Sequence, residues 1–317
     1  MNMKKIASII KRSHSIAIVV HLNPDADCIG SATALLEALR SMGKKADIFC
    51  DGDVPNRLSF LVEEGYISTQ YAPYDVCVAV DVAEKSMMGD MEDKVYNISS
   101  RKCCIDHHAT NKGYTDCNYV DANAAATGEI MYYFIKDCLK TEITESIAMR
   151  LYAAIASDTG SFKYSNTTPR THKTASEIMS VGFDAPRVMR ILFEQKTAQQ
   201  LKLNAEVTSK LRFYMEDRVC IAVVDEQMLS KYSLAFGEAD DIATIPRSIV
   251  GVEVGVYIKV KGENECKVSL RSNEYVDVSA IAKSLGGGGH VRAAGVTIND
   301  SIENTEKIIL DLIKKVI

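Results

Sequence analysis

Ser15-Ile-Ala-Ile-Val-Val20-His21-Leu-Asn-Pro-Asp25-Ala-Asp27-Cys-Ile-Gly30 runs from a strand pattern into a helix pattern through a loop that carries a histidine and two aspartates. Ser15–Val20 is a short, apolar, β-branched run, the signature of a strand buried on both faces. From Ile29 to Met42, Ala34, Leu35, Ala38 and Leu39 recur at helical spacing, and Gly43 ends the pattern. Pro24 fixes the loop backbone, and Gly30 permits close packing as the helix starts. The rhythm continues outward. Ala46–Cys50, Tyr74–Val80 and Lys102–Ile105 read as further buried strands, the last two ending at Asp81 and Asp106. Such βαβ repetition predicts an α/β fold with a parallel sheet and helices on both faces. The histidines and carboxylates all fall just past strand ends, the edge where open α/β sheets bind ligands.

Beyond residue 120 the pattern becomes helical over 124–138, 143–157, 170–181 and 186–206, and the polar stretch Gln195–Leu211 reads as a connecting helix. Arg218–Val224, Val250–Val260 and Lys267–Leu270 then return as strands, with a turn over 261–265, giving a smaller α/β unit with a mixed sheet. A chain of 317 residues favours two domains. The expected division is 1–190, a helical linker over 191–208, and 209–317.

Composition narrows the function classes. A net charge of −5 argues against a broad basic face for long duplex nucleic acid, so a nucleic-acid ligand should be short. No apolar run reaches the roughly 18 residues a membrane span needs, and Met-Asn-Met-Lys-Lys-Ile, followed by Ser13 and His14, does not read as a signal peptide. Nine cysteines without a C-x-x-C pair, several of them in apolar runs (Cys28, Cys50, Cys77, Cys220), suit reduced thiols in a cytoplasmic protein.

The remaining signal is where the rare residues sit. Of six histidines, His21, His107 and His108 stand beside carboxylates, and His290 closes a run of four glycines. Imidazole plus carboxylate is the ligand set of Mn, Fe, Co or Zn. Each motif also has a plain reading. Asp25 or Asp27 could simply cap a helix, Asp81 could be a loop carboxylate, and His107-His108 could be a surface turn. Asp158, before Thr159-Gly160, could end a helix, although the helix dipole disfavours a carboxylate there. Capping does not explain His21, and Asp81 at the same sheet edge as Asp25 and Asp27 is placed to bridge two cations. Asp106 could orient an imidazole from behind. In Gly286-Gly-Gly-Gly-His290-Val-Arg292-Ala-Ala-Gly295, glycines let main-chain amides approach an anion, and a helix starting near His290 would add its N-terminus. Arg271, ending a strand, could supply a phosphate contact; its plain reading is a solvated arginine.

Taken in order, His21-x3-Asp25-x-Asp27, Val80-Asp81, Asp106-His107-His108, Ser157-Asp158-Thr-Gly and the glycine-rich run resemble the DHH phosphoesterase family with its DHH-associated C-terminal domain. The resemblance covers nearly the whole chain, and its length is that of the compact bacterial oligoribonuclease/pAp-phosphatase branch. It implies an active site in the cleft between the domains and two Mn²⁺, with Fe²⁺ or Co²⁺ as alternatives. His21, Asp25 and Asp81 would hold one ion, and Asp27, Asp81, His107 and Asp158 the other. His108, backed by Asp106, would act on the scissile phosphate, and Arg271, Gly288, Gly289, His290 and Arg292 would grip the distal nucleotide. The implied substrates are short oligoribonucleotides and 3′-phosphoadenosine 5′-phosphate (pAp). Cyclic di-AMP or its linear product is the alternative, and a nucleotide-binding regulatory protein with a vestigial centre a further one. The inorganic pyrophosphatase branch shares the first four motifs but lacks the glycine-rich histidine segment. A homodimer through the N-terminal domain is a family-level expectation.

Overall fold

A computed structural model describes residues 3–262 and 264–317; the expected turn over 261–265 includes Glu263, and the basic start includes Met1 and Asn2, which lie outside the described residues. The chain divides into two compact units, Met1–Gln195 and Lys196–Ile317.

The first unit is built on a five-stranded sheet in the order β2-β1-β3-β4-β5, with β1 Ser15–Val19, β2 Lys45–Phe49, β3 Val76–Val80, β4 Arg101–Asp106 and β5 Cys117–Val120. Every pairing in it is parallel, as continuous apolar runs require. The order reverses between β1 and β3, and the residues following those two strands, His21 and Asp81, therefore flank the crevice where ligands collect in such sheets.

The two faces are covered unequally. Ile16 and Ile18 of β1 pack with Leu35, Ile130 and Leu151 from helices α2 (Ala26–Ser41), α3 (Thr127–Tyr133) and α4 (Glu145–Asp158). Ala17 and Val19 point the other way, onto Met88, Val95 and Tyr96 of the short turns Lys85–Met88 and Glu92–Tyr96. Helices thus pack on one face, α1 (Met3–Arg12), α5 (Pro169–Met179) and α6 (Ala185–Met189) among them, and single turns close the other.

The expected apolar stripe on α2 is too narrow. Ile29, Ala32, Leu36 and Thr33 are buried as well as Ala34, Leu35, Ala38 and Leu39, because α2 lies between the sheet and α4. Gly30 makes that possible: a Cβ there would stand 2.5 Å from the Arg150 carbonyl and 3.2 Å from Ala154 Cβ. The close approach matters to the site, since α2 opens beside Asp25 and Asp27 and α4 ends at Asp158.

In the second unit a six-stranded sheet runs β10-β11-β9-β8-β7-β6, with β6 Arg212–Tyr214, β7 Val219–Val224, β8 Val254–Lys261, β9 Glu265–Ser272, β10 Gly288–His290 and β11 Ala293–Ile298. Only β7 and β8 pair in parallel, so the sheet is mixed as expected. Helices α9 (Val278–Ser284) and α10 (Ile302–Ile313) cover one face. On the other, Leu203 and Val207 of α7 (Ala198–Ser209) pack with Met228 and Leu229 of α8 (Glu226–Lys231) and against Ala222, Val224 and Tyr257. The helix read from sequence as a connector is thus part of this unit's core.

All nine cysteines are free thiols. Among the described residues no helix is long and apolar enough to cross a membrane.

Candidate metal centre

Each candidate ligand in the first unit is delivered by a strand end or a helix end at one edge of the sheet. His21 follows β1. Asp25 is the N-cap of α2, its Oδ1 accepting from Cys28 N at 2.9 Å, and Asp27 lies in the first turn. The capping reading of Asp25 is thus correct, and its charge still bears on Asp27, Asp81 and Asp158. Asp106 is the last residue of β4, His107 and His108 follow it, and Asp158 is the last residue of α4.

Asp81 is the pivot. It follows β3 with φ of 60°, a left-handed conformation that aspartate and asparagine adopt more readily than most residues and that concentrates at functional sites. Its Oδ2 lies 3.8 Å from His21 Nε2, and its Oδ1 lies 3.7 Å from His107 Nε2. The two oxygens of one carboxylate face two different imidazoles. His107 Nε2 also stands 3.3 Å from Asp158 Oδ2 and 3.8 Å from Asp27 Oδ2. Most of these distances exceed a hydrogen bond and approach the roughly 3.0–3.4 Å separating donors that share an ion at about 2.1 Å. His21, Cys28 and Asp81 offer one group of donors, and Asp27, His107 and Asp158 a second. Cys28, read from sequence as a small hydrophobe, is thus a buried member of the first.

The electrostatics favour a cation. Burial, then Asp81, Asp158 and Asp25, pushes the Asp27 carboxyl well up. Burial and Asp25 raise Asp81 against the pull of the three histidines. Asp158 is pushed up to about 7 by loss of water and by Asp25 and Asp81, with His107 and His108 opposing. Carboxylates so placed repel one another, and divalent ions neutralise them without protonation.

The imidazoles are held from behind. His107 Nδ1 lies 3.3 Å from the Ala124 carbonyl; with that nitrogen as donor, Nε2 presents its lone pair to the three carboxylates. His108 Nδ1 is 2.7 Å from Asp106 Oδ1. Burial works against a charge on His108, yet Asp106 and Asp81 outweigh it and push His108 up to about 9. Asp106 in turn is held below the usual carboxylate range: burial opposes its charge, but the hydrogen bonds from His108 and Asn111 prevail.

Three residues escaped the sequence reading. Thr127 N and Gly128 N, opening α3, donate to Asp27 at 2.7 and 2.8 Å, and Thr127 Oγ1 donates to Asp81 Oδ1 at 2.8 Å. A carboxylate a hundred residues away caps this helix, whose own N-cap, Ala126, has no side-chain oxygen. Asn111 Nδ2 bonds Asp106 Oδ2 at 2.7 Å and the Val82 carbonyl, next to Asp81, at 3.2 Å. The helical pattern over 124–138 announces a helix here, but not what its start would bind. Thr127→Val removes the hydroxyl without changing shape, and metal affinity should fall about 10- to 100-fold, read by titration calorimetry with Mn²⁺; unchanged affinity would contradict the assignment.

The glycine-rich run lies in the second unit. No helix starts at His290. Gly288–His290 form edge strand β10, paired antiparallel with β11. The sequence offered a helix start near His290; instead the chain turns back at Val291-Arg292 as a hairpin, and Gly289, inside β10 with φ of 139°, lies so close to β11 that a Cβ on it would stand 2.5 Å from the Ala293 carbonyl. Register places His290 opposite Ala293, and Ala293 opposite Arg271. Directly paired residues share a sheet face, so His290 and Arg271 flank one small alanine, while Ala294 and Leu270 are buried on the other face. An edge strand also turns main-chain N–H groups outward. Arg292 is engaged otherwise: it donates to the carbonyls of Val276, at 2.9 Å, and Glu274.

Residues 15–155 match the N-terminal domain of the DHH family, and residues 216–317 match the DHHA1 domain. The chain belongs to the DHH family. Among DHH relatives it is 33% identical to the bifunctional oligoribonuclease and PAP phosphatase NrnA of Thermus thermophilus, over 93% of this chain and 88% of that protein. It is 30% identical to a probable NrnA of Streptococcus mutans, over 96% of each chain. An exopolyphosphatase-related protein from Bacteroides fragilis has the same fold, with a TM-score of 0.91, 23% identity, and coverage of 99% of this chain and 95% of that one.

Proposed function

We propose that this protein is a phosphoesterase dependent on two Mn²⁺, which hydrolyses very short oligoribonucleotides to mononucleotides and pAp to AMP. The observation that carries the reading is Asp81, whose two oxygens face separate donor sets, as a carboxylate shared by two ions must. Full-length similarity to relatives named oligoribonuclease and PAP phosphatase supports the substrate class. In this reading His21, Asp25 and Asp81 would hold one ion, and Asp27, Asp81, His107 and Asp158 the other; Fe²⁺ and Co²⁺ would suit the same ligands. Such cations, when bound, supply Lewis acidity and a nucleophile at neutral pH.

The chain's own groups do the rest. His108, protonated on the strength of Asp106, offers a charged donor to the scissile phosphate or a proton to the departing ribose oxygen. Arg271 and His290, on one face of the second sheet, bind the substrate's distal phosphate, and the glycines at 288 and 289 let it come close to main-chain amides. Arg292 enters only through the loop it holds.

The test is a panel with added manganese: two-nucleotide RNA, pAp, cyclic di-AMP and pyrophosphate. Hydrolysis of the first two ahead of the others is the expected result. Preference for cyclic di-AMP or pyrophosphate would reassign the substrate, and metal binding without turnover of any of the four would overturn the enzymatic reading.

A further inference from the structure

The loop joining β9 to α9 is held far more firmly than a surface connection needs. Glu253, 5% exposed, spends its carboxylate on three successive main-chain donors: Glu274 N at 2.9 Å, Tyr275 N at 2.9 Å and Val276 N at 2.8 Å. Asn273 Nδ2 donates to the carbonyls of Arg247 and Val252 at 2.9 and 2.8 Å. From the other side Arg292 donates to the carbonyls of Glu274 and Val276, and Ser272 Oγ reaches the Val276 carbonyl at 2.6 Å. Loops are ordinarily the mobile part of a fold; here a buried carboxylate and a guanidinium fix both the N–H and C=O groups of a few residues.

What this bracing presents is Tyr275, 54% exposed. The loop leaves β9 just after Arg271, and its brace Arg292 belongs to the hairpin that carries His290. Val291, at the tip of that hairpin, is 50% exposed, and its carbonyl accepts from Val278 N just past the loop. An exposed aromatic side chain on a braced backbone thus follows the strand that carries Arg271, and the arginine that braces its loop belongs to the hairpin that carries His290. An aromatic carried on a braced backbone loses little main-chain entropy on binding, and any base can stack on it because every base has a π-face.

We propose that Tyr275 is the platform on which the substrate's nucleobase stacks, while Arg271 and His290 hold the attached phosphate. This rests on the reading of the chain as a nucleotide phosphoesterase. It gives the second unit a base-tolerant subsite, with stacking in place of hydrogen-bond readout. It also assigns Arg292 a positioning role, bracing the loop that carries the ring.

The chain contains no tryptophan, so Tyr275→Trp installs a single reporter. Its fluorescence should be quenched on titration with AMP and unmoved by ribose 5-phosphate. In parallel, Tyr275→Ala should lower the ratio of kcat/KM for a diribonucleotide over the same substrate carrying one abasic nucleoside by about tenfold, and Tyr275→Phe should restore it. An unchanged ratio, or tryptophan blind to AMP in a protein that hydrolyses diribonucleotides, overturns the platform. Quenching by AMP in a protein that hydrolyses neither nucleotide leaves the platform standing and overturns the enzymatic reading.

Discussion

Asp81→Asn should abolish turnover of every substrate, lowering kcat/KM by about a thousandfold, the upper end of what removing one preorganised electrostatic group costs. The substitution is a clean one. Asparagine tolerates the left-handed backbone that Asp81 adopts, and it can still accept the hydroxyl hydrogen bond from Thr127. What it lacks is the charge that two ions would share. A second consequence runs the other way. Asp81 is 2% exposed and crowded by Asp25 and Asp27, so in EDTA the neutral side chain removes like-charge repulsion and the melting temperature should rise above that of the wild type. The stabilisation that Mn²⁺ confers on the wild type, by binding the folded state alone, should shrink or vanish in the variant. Thermal melts with and without Mn²⁺, beside hydrolysis assays, read both effects. Wild-type turnover or an undiminished Mn²⁺ shift in the variant would remove Asp81 from the centre.

His290→Ala should act on substrate and spare chemistry. Losing a hydrogen bond to a charged group costs about 1.5–3 kcal/mol, so kcat/KM for pAp and diribonucleotides should fall about 10- to 150-fold, mostly through KM. The exposed position of His290 on a three-residue edge strand makes a folding defect an unsuitable explanation for such a loss, and unchanged circular dichroism would confirm it. A small generic phosphodiester, which has no distal phosphate to bind, is the control: its kcat/KM should change little. Equal and near-total loss on both would place His290 in the chemical step instead.

The candidate ligands were legible because they sit at ends of elements that short-range patterns announce. β1, β3 and β4 are buried on both faces, so each reads as an unbroken apolar run, and the polar residue that stops the run is the one delivered to the sheet edge. Asp158 was legible for the opposite reason, as a carboxylate where a helix dipole does not welcome one. The supporting residues were not. Asn111 looks like any loop asparagine until its amide is seen joining Asp106 to the carbonyl after Asp81. The glycine run misled in one respect, since the chain turns back at Val291-Arg292 as a hairpin and no pattern of glycines alone distinguishes that from a helix start. Arg292 looked like a phosphate ligand and is bonded to main-chain carbonyls, because the loop it meets was not visible from its own neighbourhood.

The amino-acid order by itself settled the strand–helix alternation, the two-unit plan and which histidines and aspartates stand at strand and helix ends, since these follow from side-chain periodicity and backbone sterics over a few residues. Only the folded chain decided that Asp81 turns its two oxygens to different imidazoles, that Thr127 reaches back a hundred residues to Asp27, and that Glu253 and Arg292 brace Tyr275. Those arrangements are contacts between distant segments, set by how closely α2, α3 and α4 pack and by the register of β9 with β11, and neither is encoded in any one stretch.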